Sequence, residues 1–269
     1  MRLATYRAGK IFILYDADSL CDADQESQTM PPIPPCAFDS AYWRNADRVI
    51  GEAPGRGVSL FLDASPFEAG AQWVLRPYRR GGLIARLSDD RYLWTGLERT
   101  RAFREIRLTA DLHARGLPVP RPVAARVARH GLTYEAALIT ERISGARALA
   151  ELAIEGVADD ALLQHVGTTI RRFHDAGLDH VDLDARNLLV DPLGKVWLID
   201  LDRCRLRRDG DWKADNLARL ERSLTKFGAA DDMESIKRSY APLGICRSQA
   251  PHNFASCQGT GLNRARWQR

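Results

Sequence analysis

Short alternating runs of apolar and polar residues predict strands in the first half of the chain. Residues 11–15 form one such run, and two longer β-rich stretches cover residues 49–64 and 72–87. Turn residues interrupt each stretch, as expected where strands are joined by tight connections. Residues 136–143, with the sequence AALITERI, predict a further strand that ends at Ser144-Gly145.

Apolar residues at helical spacing predict that helices dominate the second half. The first predicted helix covers about residues 98–115 and stops at Gly116-Leu117-Pro118, and others lie near residues 163–173 and 212–227. The change from strands to helices near residue 144 predicts two lobes with a boundary there. Residues 25–35 are polar and rich in proline, and we expect a loop.

Residues 180–203, HVDLDARNLLVDPLGKVWLIDLDR, combine two short apolar runs with polar ends. The turn formers between the runs predict a hairpin, with Asp182 and Asn187 before its first strand and Asp200 after its second. A hairpin brings its outer ends together, so two carboxylates and an amide converge. Oxygen ligands of this kind suit Mg²⁺, which leaves part of its shell to water and substrate phosphate. The pattern predicts phosphoryl transfer.

Composition narrows the class of protein. The 269 residues are 45% hydrophobic and 28% charged, typical of a globular chain with real cores, and the net charge of +4 suits an anionic partner. No run of about 18 apolar residues is present, so we expect no transmembrane helix. The first apolar stretch is too short for a secretory signal, and the five cysteines are scattered without a C-x-x-C pair. A cytosolic protein is expected.

The spacing from Asp182 to Asn187 is that of the kinase catalytic loop, in which the Asp accepts a hydroxyl proton and the Asn holds a metal. A second Asp after an apolar strand, here Asp200, holds Mg²⁺ in that arrangement. A solvated hairpin with acidic turn formers is the competing interpretation.

Two weaker signals lie in the first half. Gly55 and Gly57 precede an apolar run, where backbone amides can approach a phosphate, although a plain hairpin turn is the favoured alternative. Glu105 borders the buried stripe of its helix. From spacing alone it meets a base in the sheet or pairs with Arg101 on the helix surface.

Several passages resemble one family: WVLRPYRRGGLIARL, RYLWTGLERTRAFRE, RGLPVPRPVAA, LITERISGARALAEL and residues 180–203. Over roughly residues 38–240 the chain resembles the bacterial 3-deoxy-D-manno-octulosonic acid (Kdo) kinases, relatives of the lipopolysaccharide core heptose kinases in the protein-kinase-like superfamily. The resemblance implies an α+β, two-lobed protein-kinase-like fold. We therefore expect an N-terminal arm at 1–37, an N-terminal lobe at 38–143, a catalytic lobe at 144–240 and an irregular tail at 241–269.

The resemblance also implies an activity and a site. The family transfers the γ-phosphate of ATP to the 4-OH of a Kdo sugar on lipid A, at the cytoplasmic face of the inner membrane. By position, Asp182 is the catalytic Asp, His180 braces its loop, and Asn187 and Asp200 bind Mg²⁺. The implied ATP-binding residues are Gly55, Gly57, Arg76, Glu105 and the hinge from Glu141 to Ile143, through its backbone.

Three departures from the protein-kinase pattern refine this hypothesis. Val181 occupies the position of an Arg that in protein kinases binds a phosphorylated activation loop, so we expect no regulation by phosphorylation of such a loop. Only eleven residues separate Asp200 from Trp212 and no Ala-Pro-Glu follows, which argues against a protein substrate. The strand lysine is replaced by Arg76, or its role falls to Arg79 or Arg80.

Basic clusters at residues 76–91, 99–107 and 203–208 suit an anionic acceptor. On a strand, Arg203, Arg205 and Arg207 would share one face. The expected partners are Kdo-lipid A and the anionic inner-membrane surface. Nucleic acid is not expected, because basic and aromatic residues are not interleaved as in a single-strand platform. The alternatives are another sugar or small-molecule phosphotransferase and a nucleotide-binding protein without catalysis.

Overall fold

The structure, a computed structural model, describes residues 1–20, 32–53, 57–78 and 91–241. Gly55, Arg79, Arg80, most of the proline-rich passage and the predicted tail after residue 241 lie outside the described residues. The strands are β1 Leu3–Ala8, β2 Ile11–Asp16, β3 Val49–Ala53, β4 Ser59–Asp63, β5 Gln72–Pro77, β6 Tyr92–Leu93, β7 Pro122–His130, β8 Thr133–Glu141, β9 Arg147–Ala148, β10 Leu178–Asp179, β11 Leu188–Val190, β12 Val196–Leu198 and β13 Arg205–Leu206.

The described strands of the first half form an antiparallel sheet in the order β1-β2-β7-β8-β5-β4-β3, and β6 pairs with the beginning of β8. The predicted strand at residues 11–15 is β2. It pairs with β7, and its neighbouring residues Ile13 and Leu14 are buried in the cores on opposite faces of the sheet. Within the predicted N-terminal arm at 1–37, residues 3–16 form β1 and β2 of this sheet, because their apolar side chains alternate between its two faces.

The helices are α1 Ala17–Leu20, α2 Ser40–Asn45, α3 Arg101–Ala114, α4 Leu149–Glu155, α5 Asp160–Asp175, α6 Trp212–Lys226 and α7 Asp232–Tyr240. The predicted helix at 98–115 is α3, preceded by a 3₁₀ turn at Leu97–Arg99. α3 buries Phe103 and Ile106 against one face of the sheet, while Trp43 of α2 packs with Trp73 on the other face. Successive β5 side chains alternate, so Trp73 faces α2 and Arg76 faces α3.

The second half packs helices and short strands around one core, which includes Phe173 of α5 and Leu220 of α6. α5 begins where Asp159 accepts a hydrogen bond from the Leu162 amide at 2.8 Å. α4 ends at Gly156, whose φ of 68° is left-handed. The end of α4 and the start of α5 are therefore both fixed, and the chain that leaves α5 leads into the residues before the predicted hairpin. Within the described residues, no helix is both long and apolar enough to span a bilayer.

The predicted hairpin of residues 188–199 is confirmed as β11 and β12, with Leu188 opposite Leu198 and Val190 opposite Val196. Asp191 accepts hydrogen bonds from the amides of Leu193 and Lys195 and from the Trp197 indole at 2.9 to 3.0 Å. These bonds fix the turn. The outer ends of the hairpin therefore meet at the edge that faces the sheet of the first half.

Candidate active site

Three predicted residues meet at the open end of the hairpin. The Ile199 amide donates to the backbone carbonyl of Asn187 at 3.0 Å, which places Asp200 beside Asn187. The Asn187 side-chain amide donates to the backbone carbonyl of Asp182 at 2.9 Å. Because this bond uses the nitrogen of Asn187, its side-chain oxygen is left to act as an acceptor.

Asp200 adopts a φ of 59°, in the left-handed region that few residues other than glycine visit. Asp is one of the side chains that tolerates this conformation, and such strained positions cluster at functional sites. The turn directs the Asp200 carboxylate toward the sheet. There Arg76 of β5 donates to it at 2.5 Å.

Arg76 joins the two halves of the molecule. One of its terminal nitrogens bonds to Asp200 and the other to Glu105 of α3. The fork of guanidinium donors suits this double contact, which a lysine ammonium would make only as a point charge. Arg76 therefore forms the strand-to-helix ion pair predicted for this position, and Glu105 pairs with it rather than with Arg101.

Glu105 is almost fully buried, with 4% of its surface exposed. Burial raises the pKa of the Glu105 carboxyl, and the nearby charge of Asp200 adds to the rise. The charge of Arg76 and the Tyr78 hydroxyl, which donates to Glu105, lower the pKa. The net pKa of Glu105 lies above its usual value. Burial would lower the pKa of Arg76, but Glu105, Tyr78 and Asp200 raise it well above its usual range. Arg76 therefore stays charged.

His180 supports the segment that leads into Asp200. Its Nε2 donates to the carbonyl of Ile199 at 3.1 Å, and because a carbonyl only accepts, the proton sits on Nε2. Burial lowers the pKa of the imidazole, so the ring is neutral near pH 7. The bracing role that the resemblance implies for His180 stays a prediction.

A polar cluster under this loop was not predicted. Asn216 of α6 accepts from the His180 amide at 2.9 Å and donates to the Asp179 carboxylate at 3.0 Å. Arg207 donates to the same carboxylate at 3.1 Å. Burial raises the pKa of Asp179, but the bonds from Asn216 and Arg207 outweigh this, and the net pKa lies below its usual value. The cluster ties α6 and the segment after Asp200 to the loop that carries His180 and Asp182.

The segment after Asp200 also differs from the prediction of one basic face. Arg205 and Arg207 both approach Asp179, at 3.5 and 3.1 Å, but Arg203 precedes β13 and has a left-handed φ of 62°. Arg203 lies 3.9 Å from Asp202 instead. The expected shared face is therefore wrong for Arg203, because the strand begins only at Arg205.

Arg101 at the start of α3 has a partner that the sequence did not predict. It forms an ion pair with Asp202, two residues beyond Asp200. Together with the contacts of Arg76, this pair fixes α3 against the segment that contains Asp200. No local sequence signal indicates such a pair, because the two residues are far apart in the chain.

Of the predicted phosphate turn and hinge, the turn precedes β4 and the hinge follows β8, and β5 lies between these two strands in the sheet. Gly57 precedes β4, and Gly55 is outside the described residues. At the hinge, the Glu141 amide donates to the Arg121 carbonyl at 2.9 Å and the Arg142 amide to the Gln72 carbonyl at 2.8 Å. These two amides are already engaged, so the Ile143 amide is the candidate donor to an adenine.

The donor set suits Mg²⁺ with a phosphorylated substrate. Asp200 offers a carboxylate that is 36% exposed, and Asn187 offers an amide oxygen. Among the described residues, no cluster of three or more His, Cys, Asp or Glu side chains forms a closed metal site. Mg²⁺ characteristically takes one or two carboxylates and completes its shell with water and phosphate oxygens. The residues present fit that requirement.

The β-rich first half with its strand-to-helix ion pair, and the helix-rich second half with its polar hairpin, define a protein of the protein-kinase-like α+β class, as predicted. The chain belongs to the lipopolysaccharide kinase (Kdo/WaaP) family, whose model matches residues 40–240. The predicted family is thereby confirmed.

Individual relatives and a solved structure agree with this membership. A 3-deoxy-D-manno-octulosonic acid kinase of Vibrio parahaemolyticus serotype O3:K6 (strain RIMD 2210633) is 41% identical, covering 88% of this chain and 94% of the relative. A kinase of the same name from Stenotrophomonas maltophilia (strain K279a) is 47% identical over 77% of this chain and 81% of the relative. The structure described as WaaP in complex with acyl carrier protein matches with a TM-score of 0.50 and 17% identity over 74% of this chain and 81% of that one, which supports the fold.

Proposed function

We propose that this protein is an ATP-dependent Kdo kinase, which phosphorylates the 4-OH of a Kdo sugar on Kdo-lipid A during lipopolysaccharide core synthesis. The observation that carries the proposal is the convergence of Asp182, Asn187 and Asp200 at one end of the hairpin, opposite the Arg76–Glu105 pair. The names of the relatives supply the sugar. The proposed lobes meet near residue 143.

In this proposal each residue has a separate task. Asp182 is exposed at the mouth of the site, where its carboxylate can orient the sugar hydroxyl and accept its proton. Asn187 and Asp200 hold Mg²⁺, which when bound neutralises charge on phosphate oxygens. Arg76 stays charged and holds phosphate oxygens through its fork. Positioning and electrostatics dominate because phosphoryl transfer needs little covalent help.

His180 and Asn216 are positioning residues in this scheme. His180 fixes the carbonyl before Asp200, and Asn216 fixes the amide of His180. Arg76 now bonds to Asp200, so binding of Mg²⁺ and phosphate requires this contact to open on the Asp200 side. The Glu105 contact of Arg76 can persist through that change.

We place the reaction at the cytoplasmic face of the inner membrane, with the protein bound peripherally. The acceptor is a lipid, and an acceptor held in a bilayer requires the enzyme to work at its surface. The short segment between Asp200 and α6, which is tied to Asp179 by Arg205 and Arg207, offers no docking segment for a peptide. We therefore propose neither a protein substrate nor a nucleic-acid partner.

Transfer from radiolabelled ATP tests this proposal. Asp182→Asn should lower transfer to Kdo-lipid A by at least ~10²-fold, the contribution of a positioned base, while ATP-dependent thermal stabilisation persists. Asp111→Asn is the matched control, because Asp111 is an exposed carboxylate paired with Arg115 on α3. Near-normal transfer by Asp182→Asn would refute the role of Asp182, and transfer to other sugars but not to Kdo would favour another sugar phosphotransferase.

A further inference from the structure

Two exposed leucines occupy neighbouring backbone positions at one end of the sheet, although they are far apart in the sequence. Leu93 of β6 is 69% exposed and Leu132 in the β7–β8 turn is 80% exposed. β6 pairs Leu93 with Thr133, the residue after Leu132, and the Trp94 amide donates to the Leu132 carbonyl at 2.9 Å. Exposed leucines on most protein surfaces are scattered singly, whereas backbone pairing holds these two at the same end of the sheet.

Basic side chains surround these two leucines. The Arg129 guanidinium lies 4.9 Å from the centre of the Trp94 ring, and the Arg7 guanidinium lies 5.3 Å from the Phe12 ring, which itself stacks on Trp94. The Arg129 amide donates to the Lys10 carbonyl at 2.9 Å, so the β1–β2 turn is adjacent. We call Leu93, Leu132, Arg7, Lys10 and Arg129 the tip surface.

The nearest carboxylate to this surface along β8 is already neutralised. Glu135 pairs with His130 at 3.3 Å and with Arg91 at 3.5 Å. The tip surface therefore combines exposed apolar side chains with a local excess of positive charge. Its aromatic neighbours Trp94 and Phe12 hold the arginines in place beside the leucines.

Strand β6 connects the tip surface to residues that contact α3. Tyr92 is next to Leu93 in β6, and the Arg101 guanidinium lies 4.8 Å from the Tyr92 ring. Arg101 pairs in turn with Asp202, two residues beyond Asp200. Tyr92 therefore faces α3, whereas Leu93, the next residue of the strand, faces the other side of the sheet and remains exposed.

We propose that the tip surface docks the protein on an anionic lipid bilayer. Leucines at turn tips can enter the boundary between headgroups and acyl chains, and neighbouring cations are attracted to anionic headgroups. The proposal rests on the proposed function only in expecting a lipid-linked acceptor. It adds which surface faces the membrane.

Co-sedimentation with sucrose-loaded vesicles tests the proposal without any sugar acceptor. The full-length protein should bind vesicles that contain phosphatidylglycerol more tightly than vesicles of phosphatidylcholine alone, and added salt should weaken that binding. The double variant Leu93→Ser/Leu132→Ser should bind about tenfold or more weakly, because two exposed aliphatic groups no longer enter the bilayer. Leu193→Ser is the matched control, since Leu193 is 94% exposed in the β11–β12 turn.

A charge reversal gives an independent arm if the double variant fails to fold. Lys10→Glu should weaken binding by roughly 25-fold, about fivefold for each unit of charge changed, whereas Lys226→Glu at the exposed end of α6 should not. Equal binding by the tip variants and their controls would overturn the proposal. Failure of the wild-type protein to bind anionic vesicles at low salt would also overturn the proposal and would favour an acidic protein as the partner of this surface. Because no phosphoryl transfer is measured, failure here is separate from failure of the proposed kinase activity.

Discussion

Replacing Arg76 by alanine should destabilise the fold, because Glu105 would stay buried without its cation. The Arg76 side chain is 27% exposed and the Glu105 side chain only 3%. Breaking a buried ion pair from one side typically costs 3–5 kcal/mol. Since Arg76 is partly exposed and the Tyr78 hydroxyl remains bonded to Glu105, we expect about 2–3 kcal/mol here. For a chain of this size that corresponds to a fall in Tm of roughly 5–10 °C.

The loss should depend on pH in a defined direction. Burial already raises the pKa of Glu105 in the wild type, and removal of Arg76 raises it further. A carboxyl whose folded pKa is raised contributes stability that is present below its unfolded pKa near 4.3 and is lost as pH rises through the folded pKa. Arg76→Ala should therefore melt closer to the wild type at pH 5 than at pH 8, as measured by thermal unfolding.

The control for this prediction is the double variant Arg76→Ala/Glu105→Gln. It removes the unpaired charge but keeps an amide that the Tyr78 hydroxyl can reach, so most of the lost stability at pH 8 should return. The reasoning would be refuted if the single and double variants melted at the same temperature at pH 8. It would also be refuted if Arg76→Ala matched the wild type at both pH values.

Three further predictions concern the supports of the site. Asn216→Ala should lower kcat with little change in the KM for ATP and cost about 1–3 kcal/mol in urea unfolding, because the His180 amide and Asp179 each lose a partner; an unchanged kcat would contradict this. Gly177→Ala should cost at least about 1 kcal/mol, since φ is 85° and a Cβ would lie 2.7 Å from the Arg207 carbonyl oxygen; wild-type stability would contradict it. Burial and Lys213 lower the pKa of His174 to about 4, so wild-type stability should fall by about 1.5 kcal/mol between pH 6.5 and pH 5, and His174→Gln should not show that fall.

Local patterns predicted the elements that carry the site. The β11–β12 hairpin, α3, α5 and α6 were each indicated by periodicity and turn residues, within a few residues of their ends. Asp182 and Asn187 precede the hairpin and Asp200 follows it, and the two ends of a hairpin lie close together. This order therefore predicted that the three side chains converge. These features are encoded over short stretches of chain.

Long-range contacts could not be read in the same way. The pattern left open whether Glu105 faces the sheet or pairs with Arg101, and only the packing of α3 on β5 decides for Arg76. Asn216 lies at an ordinary position in α6 and becomes important only because α6 passes under His180. Residues 11–15 predict a strand, but a short apolar run does not reveal which sheet it joins.

The central claim is tested most directly by incubating the purified protein with ATP, Mg²⁺ and Kdo-lipid A and analysing the lipid by mass spectrometry. The account predicts that one phosphate is added to Kdo-lipid A, that lipid A lacking Kdo is not modified, and that Asp182→Asn adds almost none. ATP-dependent thermal stabilisation of the wild type without any phosphate on Kdo-lipid A would contradict the account and leave a nucleotide-binding protein without this activity.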